Sequence, residues 1–184
     1  MIFGLIVAVL GEFLFALAFG MYTYRLENLP IYVPFGHSMA YVSVYYLVKE
    51  PLVKQHKKVI ENILYILMIL YSTFWFLFAN DTLGFICMLM ILVLFKRFPH
   101  TKLFFLLMYF VIVYLELIGT YYECWVWPNI WFDKITFISS ANPPSGISVF
   151  YFGFDLACLW LYKYYDTKRW KRMKLFRSAR LKRV

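Results

Sequence analysis

The chain has 184 residues, of which 63% are hydrophobic, 23% aromatic and only 16% charged. So few polar residues cannot cover a water-soluble surface, and successive apolar runs without polar faces cannot all be packed into one small core. The composition assigns the chain to a bilayer and excludes a soluble globular domain. The formal charge of +9 lies in one tail, because Lys163 to Val184 holds ten Lys or Arg against Asp166 alone.

A hydrocarbon core of roughly 30 Å needs about 20 apolar residues in a helix. Ile2 to Tyr24 meets that length, with no basic stretch before it and no small-residue cleavage site, which points to a retained first helix. Two prolines in Arg25 to Pro34 separate it from a second, shorter helix that starts at Phe35 or Gly36 and ends at Val48. Lys49 to Lys58 is a polar loop, Val59 to Ala79 a third span, and Asn80-Asp81-Thr82 a turn into a short fourth helix, Leu83 to Phe95. After the basic break Lys96 to Lys102, Leu103 to Tyr122 is the fifth span. Glu123 to Ser145 is a long connection and Ile147 to Tyr165 the sixth span.

Charge tests this count. If all six segments cross, 49–58, 96–102 and 163–184 share one side and carry seventeen basic residues, leaving Arg25 and Lys134 on the other. The positive-inside rule then predicts an all-α polytopic protein of the plasma or inner membrane, built as three hairpins with both termini cytoplasmic. The expected division is a transmembrane domain over 1–165 and a basic cytoplasmic tail over 166–184. In that tail Lys168, Arg169, Lys171, Arg172, Lys174 and Arg177 alternate with Trp170, Met173 and Phe176. Such a pattern suits anionic lipid headgroups, or serves only as an orientation signal. No nucleic-acid-binding fold accompanies it. Cys87, Cys124 and Cys158 show no CxxC or Cys-His spacing, so neither a disulfide framework nor a zinc site is suggested, and no cofactor motif accompanies them.

Hairpins one and three repeat a pattern. Glu12 precedes Tyr22 and Tyr24, then Pro34-Phe-Gly36; Glu116 precedes Trp125 and Trp127, then Pro144-Ser-Gly146. The match predicts a parallel internal repeat with the middle hairpin as spacer. Interfacial aromatics and Pro-Gly turns are ordinary in membrane proteins, whereas an unpaired carboxylate near the bilayer centre costs at least about 2.5 kcal/mol. Glu12, Glu116 and Asp155 are such acids, and no Lys or Arg lies at their depth. They are the candidate catalytic groups, with Tyr22, Tyr24, His37, Trp125, Trp127 and Asn142 as candidate lining of a cavity near the outer surface. The same acids could instead only hydrogen-bond helices together, and His37 could be a simple capping or surface residue or, with the three acids, part of a hard-metal or proton-relay site.

The combination of an intramembrane Glu12, Phe19-Gly20-x-Tyr22-x-Tyr24 and Pro34, with Glu116 and Gly119 as a second copy, resembles carotenoid-biosynthesis membrane proteins of the bisanhydrobacterioruberin hydratase and lycopene cyclase type. The resemblance covers about a third of the chain. The chain is shorter than the hydratase, and the cyclase-type Pro-x-Glu-Glu element is missing. The resemblance implies protonation of an isoprenoid double bond by a carboxylic acid, with aromatic faces stabilising the cation.

Three functions follow. Small size, short loops and the lack of any complete catalytic motif point first to an accessory or scaffolding subunit of a larger membrane complex, such as a respiratory or monooxygenase assembly, with the bilayer and other membrane subunits as partners. The alternative is a membrane enzyme acting on an isoprenoid or lipid through the three acids. A small transporter ranks third, because every intramembrane acid lies at the centre or outer half of its helix.

Overall fold

The computed structural model describes residues 2–132 and 134–172. The chain is mostly helical. Helices α1 (Ile2–Glu12), α2 (Tyr32–Leu47), α3 (Pro51–Gln55), α4 (Lys57–Ala79), α5 (Thr82–Arg97), α6 (Lys102–Tyr121) and α7 (Ser148–Tyr165) follow one another. Short strands β1 (Thr23–Tyr24), β2 (Trp125–Val126), β3 (Ile130–Trp131) and β4 (Ile135–Ser139) lie in the two long connections. The expected all-α architecture thus acquires two small antiparallel ribbons, β1 with β2 and β3 with β4.

Several boundaries differ from the sequence reading, each for a local reason. The first helix does not continue to Tyr24. After Glu12 it widens into a π-helical segment, Phe13–Ala18, and Gly20 at φ +60 turns the chain back. The second helix begins at Tyr32, with Pro34 in its first turn, where proline's missing N–H has no intrahelical partner to lose. Within the loop read as polar, Pro51 starts the one-turn helix α3. Asn80 takes the left-handed conformation that ends α4, and Asp81 caps α5 by accepting the Gly84 N–H at 3.1 Å.

The expectation of six spans is not met by length. Among the described residues two helical segments, Lys57–Ala79 and Pro99–Tyr121, are long and apolar enough to cross a membrane. At 1.5 Å per residue α2 and α5 reach only about 24 Å. The two long segments differ in burial. Of the most apolar eighteen residues of 99–121, 56% are buried and form the centre of the fold, against 11% of the most apolar eighteen in α4. α4 therefore is not the core helix of a soluble protein; Ile63, Ile66, Leu70, Phe74, Leu77 and Phe78 all face outward.

Hairpin one (α1 and α2) and hairpin three (α6 and α7) close a ring. α1 packs on α2 and α7, and α6 packs on the same two helices. At one end β1 and β2 join the hairpins in a register that pairs Thr23 with Val126 and Tyr24 with Trp125. Thr23 and Val126 are the middle residues of the two aromatic-x-aromatic motifs, so the ribbon is symmetric about that pair. The left-handed turn at Gly20 is matched by one at Glu123, φ 53, also two residues before its aromatic motif.

The α4–α5 hairpin lies beside this ring and fixes the turn that opens α7. Asp81, fully buried, accepts the backbone N–H of Ala141 at 3.1 Å and of Ser145 at 2.7 Å besides that of Gly84. Tyr109 donates to the Ser145 carbonyl at 2.8 Å and lies 3.0 Å from the Ser72 hydroxyl. A Cβ at Gly146 would overlap the Gly84 carbonyl, so this turn approaches α5 backbone to backbone. Of the candidate surface cations, Lys168, Arg169, Lys171 and Arg172 are exposed in the helical stretch 167–172; Lys174 and Arg177 lie outside the described residues. Asp81→Ala leaves three buried N–H groups without an acceptor. It is expected to lower unfolding stability by about 3 kcal/mol, measured by denaturation in detergent micelles.

Candidate functional site

The local two-fold arrangement places Glu12 and Glu116 at equivalent points in the last turns of a helical stretch, Glu12 six residues before Ala18 and Glu116 five before Tyr121. Each turn brings its own aromatic pair onto its own carboxylate. Tyr22 and Tyr24 donate to Glu12 Oε2 at 2.6 and 2.7 Å. Trp125 and Trp127 donate through their indole N–H groups to Glu116 Oε2 at 2.8 and 3.1 Å. The rings interleave across the ribbon, Tyr22 against Trp127 at 4.6 Å and Tyr24 against Trp125 at 6.2 Å between centroids. Exposure is 3% for Glu12 and 4% for Glu116. Buried acids in that position need the donors they have.

The third partner comes from the returning helix and breaks the symmetry. His37 on α2 places Nε2 2.6 Å from Glu12 Oε1, and Tyr151 on α7 donates to Glu116 Oε1 at 3.2 Å. The His37 and Tyr151 rings lie 4.6 Å apart. The two acid cradles therefore meet where α2 and α7 face each other. Both carboxylates line a single cavity of about 210 Å³. Its remaining walls include Phe15, Tyr32, Val33, Leu115, Phe150 and Phe154, and among the lining residues His37 is the one side chain able to carry positive charge.

The pairing chemistry separates the two acids. Glu12 Oε2 accepts two phenol hydroxyls, while Oε1 faces an imidazole nitrogen that donates or accepts according to its tautomer. Indole N–H groups only donate, so Glu116 Oε2 is held as an acceptor, whereas the Tyr151 hydroxyl at Oε1 can donate or accept, which makes Oε1 the oxygen on which a proton can sit with Tyr151 as its acceptor. Tyr22 and Tyr24 lie in the connection beyond the helix end. Burial, and then the nearby Glu12 charge, raise their hydroxyl pKa values well above the usual 10.0.

Of the residues singled out from sequence, Tyr22, Tyr24, His37, Trp125 and Trp127 line the cavity with the two glutamates. Asn142 does not. It is exposed, and its Oδ1 accepts the Trp127 backbone N–H at 3.0 Å, holding the aromatic motif from outside. Asp155 does not join the other two acids either. It lies one turn beyond Tyr151 on α7, outside the lining, with Oδ2 buried and lacking a hydrogen-bond partner. Among the described residues no group of three or more His, Cys, Asp or Glu is placed to hold a metal ion.

Sequence reasoning missed Tyr151, Phe15 and Phe154. Nothing distinguishes Tyr151 among sixteen tyrosines except its position four residues before Asp155. Gly119 has a definite role: a Cβ there would overlap the Trp125 indole, so the glycine admits that ring to Glu116, three residues earlier on α6. No protein-family model, curated protein or solved structure matches the chain.

Two measurements address this geometry. Gly119→Ala forces the Trp125 ring away from Glu116 and is expected to cost about 1–3 kcal/mol of stability, with a shift in tryptophan emission. The raised tyrosines add alkaline sensitivity. Below the ordinary pKa of 10.0 they are protonated in both states. Above it the unfolded chain releases protons that the folded one retains, so stability falls as pH rises. Tyr22→Phe and Tyr24→Phe should reduce the steepness of that fall in detergent-solubilised protein.

Proposed function

We propose that the chain is a small integral membrane protein whose paired-carboxylate cavity carries out acid-base chemistry on an isoprenoid or related lipid. The supporting observation is that two buried carboxylates, delivered by equivalent halves of the fold, open onto one aromatic-walled cavity with no Lys or Arg in its lining. An assembly serving only to hold helices together has no need to expose both acids to a shared space. The unburied apolar face of α4 and the segregation of basic residues support insertion with six helical crossings and cytoplasmic termini, the shorter helices being completed by their flanks or by local thinning of the bilayer.

In the proposed reaction Glu116 transfers the proton on Oε1 to one carbon of an alkene. The alkene π pair becomes the new C–H bond and leaves positive charge on the adjacent carbon. The faces of Tyr22, Trp127 and Phe150 stabilise that charge electrostatically. Glu12 then removes a proton, either from a neighbouring carbon to give an isomer or cyclised product, or from a water that adds to the cation. Net proton count is restored by passage of that proton back to Glu116, through solvent or through the product. The accessory-subunit reading draws on α4, whose outward face could also take a neighbouring helix.

Glu116→Gln retains an acceptor for both indoles and removes the acid. Glu12→Gln keeps an acceptor for the tyrosines and removes the base. Each is expected to lower turnover by at least about 100-fold with folding intact. The check is mass-spectrometric profiling of lipids and pigments in cells expressing each variant. Accumulation of an unsaturated precursor supports the assignment, and a profile identical to that of the unaltered protein contradicts it.

A further inference from the structure

The exposure of the lining residues shows where the cavity opens. Of all its walls, only Tyr32, Gly36 and Leu115 are exposed; those contributed by α1, α7 and the ribbon are buried or half-buried. Tyr32 and Gly36 are one turn apart at the start of α2, and Leu115 is near the end of α6. These two helices touch toward their opposite ends, where the Tyr41 and Phe104 rings lie 5.3 Å apart. The mouth is therefore a lateral gap between α2 and α6 on the side of the ring. Gly36 lies at its rim beside open space, since a Cβ there would meet nothing within 4 Å, and a larger side chain would extend into the gap.

The surface around this gap is apolar. Phe35 and Met39 on α2 and Tyr114 and Ile118 on α6 are all exposed. A ligand dissolved in water would have to cross a hydrocarbon-facing surface to reach the carboxylates. A chain already in the bilayer would not. The cavity volume of about 210 Å³ is equivalent to roughly seven waters and falls below the usual range for sites that enclose a whole drug-sized ligand. Of a long molecule, only the end fits.

Resting on the membrane acid-base reading above, we propose that the cavity is loaded sideways from the bilayer, through the gap between α2 and α6, by the terminus of a single hydrocarbon chain. The rest of that chain stays among the lipids. This limits the substrate to membrane-resident molecules that react near a chain end, and it makes Gly36 the rim position where a bulky side chain would obstruct entry.

The test uses the full chain in lipid nanodiscs with a long-chain fatty alcohol bearing a diazirine at its terminal carbon. After irradiation, adducts are mapped by mass spectrometry. Labelling is expected at Tyr32 and Leu115 and, deeper, at Trp125 or Trp127. Gly36→Leu should cut the deep labelling roughly tenfold or more. Gly153→Leu, on an exposed part of α7 where a Cβ also meets nothing, should leave it unchanged. Absence of deep adducts, equal labelling in Gly36→Leu, or equal labelling by a small water-soluble diazirine would overturn the proposal. Loss of turnover in Glu116→Gln without deep labelling would retain the acid-base reading and remove the lateral mouth. Deep labelling with full turnover in Glu116→Gln would do the reverse.

Discussion

A carboxyl group withdrawn from water must find hydrogen-bond donors close by, and in this chain that requirement is met twice by the same device. The helix bearing the acid ends, the backbone turns through a left-handed residue, and two aromatic side chains spaced two apart point back onto the acid. Residues at i and i+2 in an extended segment project to the same face, so a two-residue strand continued by one neighbouring residue, Tyr22 or Trp127, suffices to aim both donors. Pairing the two strands with each other then joins the hairpins and brings the acids to a common space. Much of the rest of the fold serves to hold those turns in place, including the Asp81 anchor and the close backbone contact at Gly146.

Near-symmetry gives the site its chemical potential because it is incomplete. If both halves were identical, two like acids would face each other with no difference in role. Phenols on one side and indoles on the other, with His37 opposite Tyr151, supply the difference. Imidazole can donate or accept a hydrogen bond and indole can only donate, so the partners of Glu12 are more versatile than the two indoles of Glu116. Such divergence between paired acids is a general route to assigning one as donor and the other as acceptor.

Much of this arrangement was legible in the sequence because it depends on residue types that are costly in apolar surroundings. Glu12 and Glu116 stood out for lacking nearby cations, and the repeated aromatic-x-aromatic spacing marked the segments that now contact them. The sequence was less informative where the interaction is geometric. Asn142 has the composition of a cavity residue, yet it acts from outside on the Trp127 backbone, and Asp155 shares the apolar setting of the other acids without sharing their cavity. Tyr151 could not be told from other tyrosines until helix α7 was placed beside α2. Helix lengths were also misjudged at the first hairpin, where a glycine turn shortened what hydropathy extended to Tyr24.

The central claim is that each glutamate is held by its own aromatic pair. Solid-state NMR can test it by measuring dipolar coupling between side-chain carboxyl ¹³C of glutamate and indole ¹⁵N of tryptophan in bilayer-reconstituted protein. Short-range coupling that vanishes when Trp125 and Trp127 are replaced by Phe is the predicted result. No coupling in the unaltered protein, or coupling that survives the double replacement, would contradict the cradle and the shared cavity built on it.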